Sequence, residues 1–213
     1  MYPIFLNVKD KLCVIIGGGK VAERKILKLI REGAKVIVIS KEVTQKIKEL
    51  ERKRKIKKII NSEYKENIIP DKALLVFECT GDKKVAKKIK SECESKGILI
   101  NSATYPQISD FFVPSSVKRG GIHISISTEG KCSAFSRALR EKIEEQISPE
   151  LSDKLKIISK IRRKLIKSEG KKDEIKDKFL LEVSRYALEK PKISEKTFLK
   201  YTKKKAKNYG IKL

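Results

Sequence analysis

The stretch Leu12-Cys13-Val14-Ile15-Ile16-Gly17-Gly18-Gly19-Lys20-Val21-Ala22 runs an apolar segment straight into a turn of small residues. A helical pattern follows: Ala22, Ile26, Leu29 and Ile30 fall on one face, and Gly33 stands where a helix would end. The turn has the form G-x-G-x-x-A between a strand and a helix. Backbone N–H groups there can cradle a dinucleotide pyrophosphate. Gly17 suits the tight turn, Gly19 lets the backbone approach the phosphates, and Ala22 lets the helix pack close to its strand. The expected cofactor contacts are Gly17, Gly18, Gly19, Lys20, Val21 and Ala22.

Outward from this window, strand and helix patterns alternate. Lys35–Ile39 reads as a second buried strand, 43–51 as an amphipathic helix, 56–60 as a short strand and 71–77 as the approach to another. A helix over 85–96 ends at Gly97, and Ile98–Ile100 resumes strand. Such alternation predicts an open, mostly parallel α/β sheet across residues 1–113, whose ligands gather beyond the carboxyl ends of the strands. Ser40-Lys41, Thr80-Gly81-Asp82 and Asn101 to Thr104 occupy those positions. NAD-specific folds often place an acid after the second strand. Here Ser40 offers a hydroxyl to the ribose and Lys41 tolerates a 2′-phosphate, so the residues leave NADP open beside NAD.

The character changes after Phe111-Phe112-Val113-Pro114. Residues 121–128 alternate strictly, with Ile122, Ile124 and Ile126 on one face and His123, Ser125 and Ser127 on the other. A turn at Glu129-Gly130-Lys131 leads to a helix over 134–147. Beyond Pro149 the chain reads as helices: Leu151, Leu155, Ile158, Ile161 and Leu165 form one apolar face, and Ile175, Phe179, Val183, Tyr186 and Ala187 form another, with Gly170 between them.

The 213 residues include 52 Lys+Arg against 27 Asp+Glu, a formal net charge of +25. Such a balance suits an anionic partner: nucleic acid, a membrane surface or a polyanionic small molecule. It also suits a lysine-decorated, heat-adapted surface. Lys200–Lys207 interleaves only Tyr201 among its basic residues, which speaks against stacking on nucleic acid. No apolar stretch nears the ~20 residues of a membrane span, and no signal-peptide pattern opens the chain. Cys13, Cys79, Cys93 and Cys132 lack metal-site spacing, so no metal site is expected, and a reduced cytoplasmic protein is.

The landmarks occur in a telling order: Tyr2-Pro3-Ile4-Phe5; Gly17 to Lys25; Thr80-Gly81-Asp82; Asn101, Tyr105-Pro106, Asp110-Phe111 and Pro114; then Ile126-Ser127-Thr128-Glu129-Gly130-Lys131 and Arg137 to Glu141. In that order they resemble the precorrin-2 dehydrogenase / sirohydrochlorin ferrochelatase family, the N-terminal module of siroheme synthases, over residues 1–148. The resemblance implies NAD-dependent removal of two hydrogens from precorrin-2 to give sirohydrochlorin. In some members it also implies insertion of iron or cobalt. It further implies a homodimer built from a Rossmann-like NAD-binding domain (1–113), a strand-and-helix dimerisation segment (114–148) and a small all-helical C-terminal domain (149–213). Methyltransferase activity, carried by a large additional domain in the longer synthases, is not expected.

Precorrin-2 is fringed with carboxylates, and Arg119, Lys131, Arg137 and Arg140 are candidates to grip them, each equally readable as a solvated surface charge. Asn101, His123 and Thr128 are further candidate contacts. His123 alone, without a second ligand at suitable spacing, makes no metal site.

The chain also departs from the pattern. Where characterised members place a proposed general base, it has Thr104, whose hydroxyl is no base near neutral pH. Asp110 offers a carboxylate six residues on, or else caps a local turn or helix. Alternatively the proton leaves to water or to a substrate carboxylate. Cys132-Ser133 replaces a common Ser-Pro, and Thr128 and Ser133 either touch the tetrapyrrole or cap the next helix. Two non-catalytic readings stand beside the enzyme: a tetrapyrrole carrier, and a nucleotide sensor that binds nucleic acid through its basic tail.

Overall fold

Leu12–Ile16 forms β1, the centre of a five-stranded parallel sheet with β2 (Lys35–Ile39), β3 (Lys58–Ile60), β4 (Ala73–Glu78) and β5 (Leu99–Ser102), in the order β3-β2-β1-β4-β5. The computed structural model describes residues 1–167 and 172–212 and divides into two units, Met1–Val113 and Pro114–Leu213. The sheet belongs to the first. Alternate residues of its strands feed two cores. Cys13, Ile15, Val36, Val38, Leu75 and Phe77 pack with α1 (Lys20–Arg31) and α2 (Gln45–Arg52). Val14, Ile16, Ile37, Ile39, Val76 and Ile100 pack with α3 (Lys83–Ser95) on the other side. Burial of both faces explains why these strands read as apolar runs without alternation.

The strand order reverses between β1 and β4, so the crevice that opens beyond their carboxyl ends is the place where such sheets take ligands. Local chemistry fixes the helix ends around it. Thr44 caps α2 and Asp82 caps α3 through their side chains. Gly33, at φ +80°, closes α1 as its position predicts, and the N–H of Ala34 donates to the Leu29 carbonyl at 3.0 Å.

In the second unit β6 (Ser115–Arg119) pairs antiparallel with β7 (Ile122–Ile126). Among the described residues the helices α4 (Ser133–Gln146), α5 (Pro149–Lys167), α6 (Asp173–Glu189) and α7 (Glu195–Asn208) follow. Leu151, Ile161, Leu165, Phe179, Val183, Ala187 and Phe198 form the core, with Ile122 of the hairpin packed against it. The alternation in β7 is as read: Ile126 is buried while His123 and Ser125 are exposed. β6 goes beyond the sequence expectations, because its Ser-Ser-Val-Lys-Arg carries a single buried apolar residue, Val117. The separator expected at Gly170 lies outside the described residues.

Candidate functional site

The three glycines beyond β1 do different work. A Cβ on Gly17, whose φ is +113°, would stand 2.5 Å from the Cys79 carbonyl oxygen, so this residue lets β1 pass close to the end of β4. A Cβ on Gly18 would meet the Glu42 carbonyl oxygen at 2.0 Å, and the Gly18 carbonyl accepts a bond from the Thr44 N–H at 3.0 Å. That docking of the glycine turn on the β2–α2 loop was not legible in sequence. Gly19 is the exception: nothing lies within 4 Å of its would-be Cβ. It is also the N-cap of α1 and supplies no side-chain bond. The first-turn N–H groups, Lys20 to Ala22, have no carbonyl one turn back within the helix to accept from them. Buried Ala22 packs α1 against the sheet. Together these residues fit a pyrophosphate: an uncapped helix start, beside a glycine with room over it.

Ser40 and Lys41 follow β2. The Ser40 hydroxyl donates to the Glu42 carbonyl at 2.6 Å, and Lys41 pairs with Glu63 at 2.8 Å, with both side chains largely exposed. Across the crevice, Thr80 and Gly81 lead into Asp82. The Asp82 carboxylate accepts from the N–H groups of Lys84 and Val85 at 2.7 and 3.0 Å, so it serves α3.

Asn101 within β5 and Asp110 beyond it are both engaged inside the fold. Asn101 is buried, and both ends of its amide are used internally: Oδ1 accepts from Lys25 Nζ at 2.7 Å and Nδ2 donates to the Phe111 carbonyl at 2.9 Å. The side chain is thus tied into the fold between α1 and the returning chain. Asp110 caps neither a turn nor a helix. Its backbone N–H donates to the Ile100 carbonyl at 2.8 Å. Its carboxylate accepts from the Ile100 N–H at 2.9 Å and from Lys90 Nζ at 2.5 Å. It latches the returning chain to β5 and is not poised as a base. Thr104 is exposed at the sheet edge.

Two ionisable residues here escaped the sequence reading. Lys25 of α1 lies over the Phe77 ring, 5.0 Å from its centroid. Burial lowers its pKa below the ordinary lysine value, Lys28 and Arg24 adding to the effect while Cys79 and Glu78 oppose it. Glu78, the last residue of β4, is completely buried. It accepts from the Thr80 N–H at 2.6 Å and the Thr80 hydroxyl at 2.7 Å, and also from the Ser102 hydroxyl. The adjacent Cys79 thiol is pushed up to about 12 by burial, which keeps it protonated.

The remaining candidates belong to the second unit. Arg119 donates to the Ile147 carbonyl and its own carbonyl accepts from the Ser152 hydroxyl at 3.2 Å, so it ties the hairpin to the start of α5. Arg137 pairs with Glu141 at 3.1 Å, and Arg140 pairs with Glu141 at 2.9 Å and with Glu144. Lys131 lies 3.6 Å from Glu129 and is exposed. His123 stands opposite Lys118 in the hairpin. Thr128 Oγ1 accepts from the Cys132 N–H at 3.3 Å and donates to the Cys132 carbonyl at 3.1 Å, bracing the turn. The cap of α4 is Cys132 itself, whose sulfur accepts from the Phe135 N–H, and neither hydroxyl considered for that role fills it. Among the described residues no three His, Cys, Asp or Glu side chains converge as metal ligands, and no helix is long and apolar enough to cross a membrane.

A family model described as "Putative NAD(P)-binding" matches residues 4–115, more than half of the chain. The chain belongs to that family. Its relatives include the siroheme synthase of Buchnera aphidicola subsp. Acyrthosiphon pisum, 36% identical over 160 residues, which are 75% of this chain and 33% of that protein. The siroheme synthase of Nitrosococcus oceani is 32% identical over 142 residues, 67% of this chain and 30% of that one. The chain thus spans about a third of the length of the curated relatives it matches. Among solved structures, SirC, a precorrin-2 dehydrogenase, superposes with a TM-score of 0.74 at 22% identity, covering 96% of this chain and 100% of that one. The shared fold therefore extends through the helical region as well as the sheet.

Proposed function

We propose that this chain removes two hydrogens from precorrin-2, as a hydride and a proton, to give sirohydrochlorin, with NAD as the hydride acceptor. The observation that carries the reading is the open bend at Gly19. It is the one glycine of the three that the protein's own packing does not claim, and it abuts the uncapped start of α1. The siroheme synthase relatives and the fold shared with a precorrin-2 dehydrogenase supply the substrate.

NAD, when bound, supplies the electron-pair acceptor. The chain's residues do the rest. Gly17 to Ala22 would hold the pyrophosphate, and Ser40 would meet the adenosine ribose. Thr80 and Gly81 would line the crevice on its far side, with Thr104 at its edge. Neither Thr104 nor the latched Asp110 is a free base, so the proton leaves to water or to a substrate carboxylate. Arg137, Arg140 and Lys131 contribute positive charge for the macrocycle's carboxylates. Arg119 and Asn101, both occupied internally, are left out of substrate binding.

The protein is proposed to act as a cytoplasmic homodimer. Phe135, on α4, is 62% exposed and offers apolar surface to a second copy. Sedimentation at two concentrations tests this.

Purified protein supplied with precorrin-2 and NAD is expected to produce the sirohydrochlorin spectrum and NADH in equal amounts. Absence of turnover would overturn the reading. Tight sirohydrochlorin binding without NADH would favour the carrier.

A further inference from the structure

We propose that Glu78 is a positioning residue: it locks the loop after β4, which borders the dinucleotide, to the loop after β5, which carries Thr104. The catalytic half of this statement rests on the dehydrogenase reading; the geometric half does not.

Glu78 is buried without a direct ion pair: no Lys or Arg among the described residues lies within ion-pair distance, and Lys25 acts on it only from farther away. Burying a carboxylate in this way is costly unless its oxygens are well supplied with donors. The donors come from two separate loops. One oxygen takes both the N–H and the hydroxyl of Thr80, and the other takes the Ser102 hydroxyl. Ser102 Oγ in turn accepts from the N–H groups of Thr104 and Tyr105, at 3.4 and 3.0 Å. The Tyr105 hydroxyl then crosses back and donates to the Gly81 carbonyl at 2.9 Å. The result is a closed ring, Glu78–Ser102–Tyr105–Gly81–Thr80, at the carboxyl edge of the sheet. An apolar residue would fill the end of β4 with less desolvation, but it would join nothing.

The ring makes the carboxylate's two halves experimentally separable. The Thr80 N–H can only donate, so in Glu78→Gln the amide oxygen must face Thr80 and the NH2 group must face Ser102. Ser102 Oγ already accepts two backbone bonds, and its own proton loses its acceptor. Glu78→Gln therefore opens the Ser102 half and spares the Thr80 half. Ser102→Ala opens the same half from the other side.

Amide exchange, NAD affinity and steady-state kinetics on the full chain test the proposal. In both variants the amide protons of Thr104 and Tyr105 should exchange at least about tenfold faster, those of Thr80 and Asp82 staying as in the wild type. NAD affinity should move less than about twofold, while kcat falls about tenfold or more because the loop beside the reacting carbon is displaced. The double variant should be no worse than either single one. Unchanged exchange at Thr104 and Tyr105 in both single variants would overturn the ring. Additive losses in the double variant, or a stability loss with kcat untouched in a turning-over enzyme, would overturn the positioning role. A wild type that exchanges as described but never turns over would instead reject the dehydrogenase reading, with the exchange data still deciding the ring.

Discussion

Two buried carboxylates in the first unit meet the same electrostatic problem at opposite ends of usefulness. Glu92, on α3, accepts from the Tyr64 hydroxyl at 2.7 Å, from the N–H groups of Asn67 and Ile69 at 3.2 and 3.1 Å, and from Lys96 at 2.9 Å. It pins the chain entering β4 to a helix. Glu78 takes three such bonds to the four of Glu92, and it joins two loops at the edge where the ligand is expected. A buried acid is not in itself a sign of function. What distinguishes the two is which segments they tie together, and that the Glu92 site has a cation whereas the Glu78 site relies on hydroxyls and an amide.

The contrast is broken most sharply by removing Glu92. Glu92→Ala leaves two backbone N–H groups without their acceptor and takes one partner each from Tyr64, which keeps the Lys88 carbonyl, and Lys96, which keeps Asp71 and the Ile69 carbonyl, and should cost about 3 kcal/mol. Urea unfolding would read this, with NAD affinity unchanged. Glu92 also gives the fold a specific acid sensitivity. Its pKa is lowered because the bonds from Tyr64, Lys96 and Ile69 outweigh the opposing desolvation. The stabilisation is therefore present above the ordinary glutamate value and is lost as pH falls through the depressed folded one. Tm of the wild type should drop more steeply over that acidic window than Tm of Glu92→Gln.

Gly17→Ala comes next. Its Cβ would press on the Cys79 carbonyl at 2.5 Å from a left-handed backbone, so a loss of about 2 kcal/mol is expected by thermal unfolding. Gly19→Val, facing open space, should leave Tm nearly unchanged yet weaken NAD binding about tenfold or more, equivalent to about 1.4 kcal/mol. The smallest effect belongs to the exposed cations. Arg137→Ala should leave stability unaltered and raise KM for precorrin-2 only a few-fold, falling further in importance as salt rises.

Much of this molecule was legible because parallel strands buried on both faces announce themselves as apolar runs, and because the glycine turn sits between two such signals. The legibility fades where structure depends on partners distant in sequence. β6 is a strand because β7 pairs with it, and its own residues carry one apolar anchor, Val117. Asp110 looked like a local cap, yet its carboxylate reaches back ten residues to Ile100. Asn101 looked like a ligand contact until Lys25 and Phe111 took both ends of its amide. Glu78 gave no signal, because one acid at the end of an apolar strand is indistinguishable from ordinary solvent exposure until Ser102, 24 residues later, folds over it.

The open bend at Gly19 is tested most directly by calorimetric titration of NAD into the wild type and into Gly19→Val. Saturable one-to-one binding in the first, markedly weakened in a second protein of equal Tm, is the expected result. No heat of binding from NAD or NADP with the wild type, or equal affinity in both proteins, would contradict it.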